Sequence, residues 1–270
     1  MRGPSRAALA EARQRLSEAA TSAATARTLG EELFAILGVL DEEAGLRRAL
    51  SDSCRRVQAR AELARRLFGG QVSDATLSLF TGMCESRWSR PADLAGAVEE
   101  IAVTAFAAAA ERARHLDDLE DQLFRFGRVV MSAPELRTAL SNLTIPAQYK
   151  RQLLDTLLEG KVTADSRALI GEAAEHPRGR SVDMTLDRYA QWTAQWRQRL
   201  IAVARVAVPL TERQRERLIA ALEGVYGHEV HLDVIVDPRV EGGISVQIGD
   251  EFIDGSVASR LGALRRRLAA

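Results

Sequence analysis

The chain has 270 residues, with 37 basic and 37 acidic side chains, 46% hydrophobic residues and 5% aromatics. A formal charge of zero argues against a protein whose main task is neutralising nucleic-acid phosphates or coating an anionic membrane, since both partners demand a basic excess. The length admits one large domain or two to three small ones.

The opening Met1-Arg2-Gly3-Pro4-Ser5-Arg6 is not followed by an apolar core and cleavage site, so no signal peptide is expected. No apolar run reaches the ~18 residues that cross a bilayer; Ile101 to Ala110 is short and interrupted by Thr104. A soluble chain is expected, with peripheral association with a membrane left open. Lys150 and Lys161 are the only lysines, leaving 35 arginines, a usage that fits a GC-rich coding sequence better than a functional choice. Cys54 and Cys84 read as free buried thiols.

Sliding the sequence by ninety positions lays Leu46-Arg47-Arg48-Ala49-Leu50-Ser51 on Leu136-Arg137-Thr138-Ala139-Leu140-Ser141. Leu29, Leu33, Phe34 and Val39 fall on Leu119, Leu123, Phe124 and Val129, and Leu63, Leu67, Gly70 and Val72 on Leu153, Leu157, Gly160 and Val162. A register held without a gap means two copies of one helical unit. Leu29, Leu33, Leu37 and Leu40 follow helical spacing until Asp41 to Gly45, and Leu116, Leu119, Leu123 and Val130 do so until Ala133-Pro134. Further helices are expected from about Ala59 to Phe68 and Gln148 to Leu158, each closed by a glycine. Tyr189, Trp192, Trp196 and Leu200 form one stripe of a last helix and read as core anchors.

Past residue 200 the period becomes two. Ile201 to Val208 reads as a strand ended by Pro209, and Thr211 as the cap of a helix turning Leu218 and Leu222 inward. Val230, Leu232, Val234 and Val236 alternate with His231, Asp233 and Ile235, and Ile244, Val246 and Ile248 form a second strand running through Gly249-Asp250 into Phe252-Ile253. Ser256 can cap a final helix bearing Val257, Leu261, Leu264 and Leu268. The fold class is therefore mainly α: two tandem helical-bundle units, 1–104 and 105–198, followed by a small α+β domain, 199–270.

Catalytic chemistry finds no support. Lys161 follows Gly160 without the rest of a phosphate-binding loop. His228 and His231 lack further ligands for zinc, and His115 and His176 stand singly, more in keeping with solvent-facing positions. The pairs Glu42-Glu43, Glu99-Glu100 and Asp117-Asp118 read as solvated helix surface, and no Ser or Cys lies in a nucleophile-elbow context. No cofactor, metal or nucleic acid is expected. Charge balances piecewise as well, with ten arginines and ten carboxylates from Arg199 to Ala270. The local excess is Arg260, Arg265, Arg266 and Arg267, which fits a solvated face and an acidic helical partner equally.

The run from Val236 to Val257, with Asp237, Pro238, Gly242, Gly243, Gly249, Asp250, Asp254, Gly255 and Ser256 at fixed offsets, resembles the C-terminal signature of the delta (OSCP) subunit of F-type ATP synthases. Pro134-Glu135-Leu136-Arg137, Gly160-Lys161, Gly179-Arg180 and Ala207-Val208-Pro209-Leu210 are similar to the family upstream, so the resemblance covers about residues 105–270. The first ~105 residues are absent from the ordinary subunit; a long form with a duplicated helical unit resembles what actinobacteria carry. Glu241 departs from the family, which has an apolar residue there. The resemblance implies a non-catalytic peripheral-stalk subunit at the cytoplasmic face of the bacterial plasma membrane. Its helical domain would grip N-terminal helices of the alpha subunits, and its C-terminal domain would bind subunit b, with the four C-terminal arginines as candidate contacts. The signature residues read as fold determinants: glycines for backbone freedom, Asp254 and Ser256 for helix capping. The rival readings are a nucleic-acid-associated regulator and a helical adaptor unrelated to the synthase.

Overall fold

The ninety-residue offset recurs in the helices themselves. The computed structural model describes residues 3–142, 144–197, 200–226, 230–237, 243–248 and 251–254. The first half holds α1 (Pro4–Ala19), α2 (Ala23–Glu42), α3 (Ala44–Ser51), α4 (Val57–Phe68), α5 (Asp74–Glu85) and α6 (Pro91–Arg112). There follow α7 (Leu116–Ser132), α8 (Pro134–Ser141), α9 (Ala147–Leu158), α10 (Ala164–Glu175) and α11 (Val182–Arg197). Adding ninety to either bound of α3, α4 or α5 gives the bounds of α8, α9 or α10.

The local chemistry repeats with the bounds. Gly70 (φ 76°) and Gly160 (φ 67°) take the left-handed conformation after α4 and α9. Ser73 and Thr163 cap the next helices, their hydroxyls accepting from the amides of Thr76 (3.4 Å) and Ser166 (3.2 Å). The cap amides in turn donate to the side chains of repeat mates, Ser73 to Glu32 (2.9 Å) and Thr163 to Gln122 (2.8 Å). Arg60 and Lys150, also mates and both buried, tie α4 and α9 to the ends of α5 and α10. Arg60 donates to Ser86 O (2.9 Å) and Glu85 O (3.2 Å), and Lys150 to Ala174 O (3.0 Å).

Helix α6 belongs to both copies. Its buried positions Ala95, Val98, Glu99, Ala102 and Phe106 are the mates of Ser5, Ala8, Leu9, Ala12 and Leu16, the buried stripe of α1. In the other direction, α11 is the mate of α6. Thus α1–α6 form one bundle and α6–α11 the next, α6 packing on α1, α2, α3 and α5 and also on α7 and α10. Covered from both sides, it has 17 of 22 residues buried, as an all-round apolar helix must. Gly30 lets α2 approach, for an added Cβ would lie 2.6 Å from the Phe106 ring and 3.1 Å from Ala102 O. The boundary expected between residues 104 and 105 therefore falls inside a helix, and one hydrophobic core runs from Ala8 to Trp196.

Several local expectations are corrected. The stop expected at Asp41 to Gly45 falls at Glu42, where α2 ends, with Gly45 already inside α3; of the two cysteines expected to be buried, Cys54 is exposed and Cys84 is buried. Tyr189 and Trp196 are core residues with Trp192 packed beside them, but Leu200 opens a strand and lies outside the helical stripe. Glu99 and Glu100 are 3% and 5% exposed, contrary to the solvated reading, because arginines distant in sequence neutralise them: Arg178 and Arg180 meet Glu99, and Arg13 meets Glu100.

The chain divides into two compact units, Met1–Trp196 and Arg197–Ala270. In the second, β1 (Leu200–Val206) is followed by α12 (Glu212–Tyr226), β2 (Val230–Val236), β3 (Ile244–Ile248) and β4 (Glu251–Asp254). The sheet order is β2-β1-β3-β4, with β1 parallel to β2 and antiparallel to β3. Helix α12 makes the crossover, as a parallel pair requires. It starts at a half capping box in which Gln214 accepts from the Thr211 amide (2.9 Å). Leu218, Ile219 and Leu222 close on Ala204, Val230, Leu232 and Val246. Val236, which the alternation sets on one side with Val230 and Leu232, is exposed at the strand end. The helix expected from Ser256 lies outside the described residues.

Candidate docking surfaces

Between α9 and α10 runs a groove of about 660 Å³. Leu154 with Val162, Ala164, Ala168 and Gly171 supplies apolar wall; Arg151, Asp155, Arg167, Glu172, Glu175 and His176 supply charge. Arg151 Nε donates to Glu175 (2.7 Å), Arg167 to Asp155 (3.3 Å), and Arg178 from behind to Glu172 (2.5 Å). Burial raises the Glu172 carboxyl above the usual range despite Arg178, and lowers the Lys150 ammonium, against the pull of Glu175. The Lys150 bond to Ala174 O fixes one wall to the other.

The mate of this groove, between α4 and α5, is lined by Arg15, Arg65, Asp74, Leu77, Ser78, Thr81, Gly82 and Glu85 and narrows to about 260 Å³. Seven of these eight residues are mates of residues in the wider groove; the eighth, Arg15, comes from α1. Its guanidinium sits over Gly82 so closely that a Cβ there would collide, and it is held by Glu11 at 2.7 Å. The mate of Arg15 is Ala105, whose methyl group is too short to fill the second groove.

Exposed apolar residues divide unequally as well. Phe124 and Met184 are each 61% exposed, while their mates Phe34 and Leu94 are 8% and 0% exposed. Phe34 stacks on Phe106 (centroids 6.0 Å) and meets Tyr189 (6.3 Å), contacts made through the shared core. Tyr149 and Leu153, one turn apart on α9, are exposed too.

Of the signature residues, Asp237 donates its amide to Val206 O (2.9 Å), Gly243 (φ 83°) enters β3 in the left-handed region, and Asp254 ends β4 opposite Ser245. Pro238, Gly242, Gly249, Asp250, Gly255, Ser256, Arg260, Arg265, Arg266 and Arg267 lie outside the described residues, as does His228.

Sequence reading passed over two buried ion clusters that join the copies. Asp165, fully buried on α10, accepts from Arg27 of α2 (2.6 and 3.0 Å) and pairs with His115 (2.9 Å), a residue expected to face solvent. Burial pushes its carboxyl upward, but Arg27 and His115 outweigh that and hold it below the usual range. Arg178, at φ 48°, reaches Asp41 (2.6 Å), Glu172 and Glu99 together. Among the described residues no group of three or more His, Cys, Asp or Glu is placed to hold a metal, and no helix is long and apolar enough to cross a membrane.

The family model for the ATP synthase delta (OSCP) subunit matches residues 101–268, beginning inside α6. The ATP synthase subunit delta of Streptomyces griseus is 47% identical over 270 residues, covering all of both chains. That of Thermobifida fusca is 44% identical over 269 residues, again covering both chains whole, and that of Acidothermus cellulolyticus is 44% identical over 274. The first hundred residues are thus shared with these actinobacterial chains though they precede the family match.

Proposed function

The chain belongs to the ATP synthase delta (OSCP) subunit family and is a non-catalytic, peripheral-stalk subunit of that enzyme, and from that premise we propose which surfaces it uses. A stator must hold the catalytic head against the turning shaft. The second helical copy, residues 105–198, takes N-terminal helices of the alpha subunits, and the C-terminal domain, residues 199–270, takes subunit b, with Arg260, Arg265, Arg266 and Arg267 facing that partner. The assembly sits at the cytoplasmic face of the plasma membrane, the chain reaching the membrane only through the complex.

The observation that carries the alpha assignment is the open α9–α10 groove, which lies inside the family match while its mate in the first copy is narrowed by Arg15. An amphipathic helix lays its apolar face into such a groove. The test is co-purification of the tagged chain from native membranes. Alpha, beta and b subunits are expected with it, and their absence would sink the reading.

A further inference from the structure

On α2 a stripe of three residues spaced seven apart is covered by the second copy. Arg27 bonds Asp165 of α10 (2.6 Å), Phe34 meets the ring of Tyr189 on α11 (6.3 Å), and Asp41 accepts from Arg178 (2.6 Å). Their mates on α7 are Asp117, Phe124 and Met131, and here the chain goes on into the α+β unit instead of a third helical copy. Phe124 and Met131 are accordingly 61% and 62% exposed. Met184, also 61% exposed, stands two residues from Leu186, where α11 passes α7 at Gly127. The opposite end of the two bundles is closed. Where α6 has the buried Ile101, Ala105 and Ala108, α1 has Glu11, Arg15 and Glu18, a polar outer face of the kind that caps repeat arrays. Head-to-tail stacking of chains is shut out as well, since each bundle takes its first helix from the one before it.

We propose that the uncovered α7 face is a self-association surface: two molecules of this chain pair α7 against α7, antiparallel about a two-fold axis at Phe124. The charge pattern selects this occupant and this direction. The stripe is acidic before Phe124, at Asp117, Glu120 and Asp121, and basic after it, at Arg128. Arg128 has no acid three or four residues away on its own helix, and antiparallel pairing sets it beside Glu120 and Asp121 of the partner subunit. Asp121 already holds Arg125 at 2.9 Å, but that pair is exposed and one turn apart, so a second guanidinium joins it without breaking a buried bond. Parallel pairing would set acid on acid. Phe124 and Met131 supply the apolar contact, the thioether adapting its shape to what meets it. An isologous contact closes on itself, so association ends at the dimer. One helix pair buries less than the ~1,200 Å² of a standard interface, so dissociation is expected in the micromolar range. The α9–α10 groove takes no part in this surface, and the inference stands apart from the alpha assignment.

The test is sedimentation equilibrium of the purified full-length chain across the micromolar range. The mass is expected to rise with concentration from 29.5 kDa toward twice that value. Phe124→Glu should weaken dimerisation at least tenfold, and Arg128→Asp should weaken it as well. Combining Asp121→Arg with Arg128→Asp should tighten it at least threefold over Arg128→Asp alone, which loss of a merely apolar patch would not do. Tyr149→Glu, at an exposed aromatic residue of α9, should leave it within twofold. All four positions are exposed, and thermal melts check that each variant keeps the wild-type fold. A chain that stays at 29.5 kDa at every concentration would overturn the proposal and leave the face to a different protein. A dimer untouched by Phe124→Glu, or lost with Tyr149→Glu, would put the contact elsewhere and overturn it too.

Discussion

The Tyr189 hydroxyl donates to Glu99 Oε1 at 3.2 Å, and these two residues are repeat mates, so corresponding positions of the two copies touch each other inside one core. Glu99 also pairs with Arg180 and Arg178. Tyr189→Phe removes one bond to a charged group that keeps its other partners and should cost about 1–2 kcal/mol. Glu99→Ala takes the carboxylate from Arg180, while Arg178 keeps Asp41 and Glu172, and should cost about 3 kcal/mol. Urea unfolding of both variants checks the order, and equal costs would show that the arginines find other partners.

Gly30→Ala tests the closeness of α2 and α6. In an exposed helix the change stabilises by about 1 kcal/mol, but here the new Cβ meets the Phe106 ring at 2.6 Å, and overpacking costs about 1–3 kcal/mol. Net destabilisation in a thermal melt is expected. A raised midpoint would mean that the two helices separate freely.

Glu32 and Gln122 do the same work at the caps of α5 and α10, which predicts a graded response. Glu32→Gln should retain the acceptor for the Ser73 amide, as Gln122 does for Thr163, whereas Glu32→Ala strands three donors, Ser73 N, Ser73 Oγ and Thr76 Oγ1, at about 2 kcal/mol. Denaturation midpoints ordered wild type, Gln, Ala would bear this out.

Asp165 supplies a pH signature. Its folded-state pKa lies below the ordinary carboxylate value, so its contribution is complete above about pH 4 and is lost as pH falls through the lower folded value. Asp165→Asn should therefore be less stable than wild type at pH 7, by about 2 kcal/mol, and the gap should close in stronger acid. A gap unchanged from pH 7 to pH 2.5 would contradict the Arg27–Asp165 pairing.

A chain beginning at residue 105 should not behave as a domain. It would lose residues 91–104 of α6, Ala102 among them, and leave Phe106, against which Gly30 of α2 packs, on a remnant of one helix. Aggregation in gel filtration is expected, against a full-length chain that stays dispersed.

Much of this was legible in the residues. Helical spacing predicted α2 and α7, the expected helices at about Ala59 to Phe68 and Gln148 to Leu158 are α4 and α9, and the alternation from Val230 marked β2. What escaped depended on partners far along the chain. Identities between copies say nothing about which neighbour covers a face, so the sharing of α6 was hidden, although Ile101 to Ala110, apolar without helical period, is the pattern of a helix buried all round. Its end was hidden too, because Arg114 takes the left-handed position (φ 61°) that usually advertises itself as glycine. Glu99 and Glu100 looked solvated because their arginines stand about eighty residues away, and Arg15 could not be matched to Gly82 before α1 was seen lying on α5.

The helix that closes one bundle and opens the next also fixes an arithmetic of growth. Two complete six-helix bundles would need twelve helices and a linker; this unit makes them from eleven with none. Each further ninety residues inserted in register would add five helices and inherit its first from the copy before it, so a subunit of this kind lengthens as nearest-neighbour repeat arrays do, without ever creating a hinge.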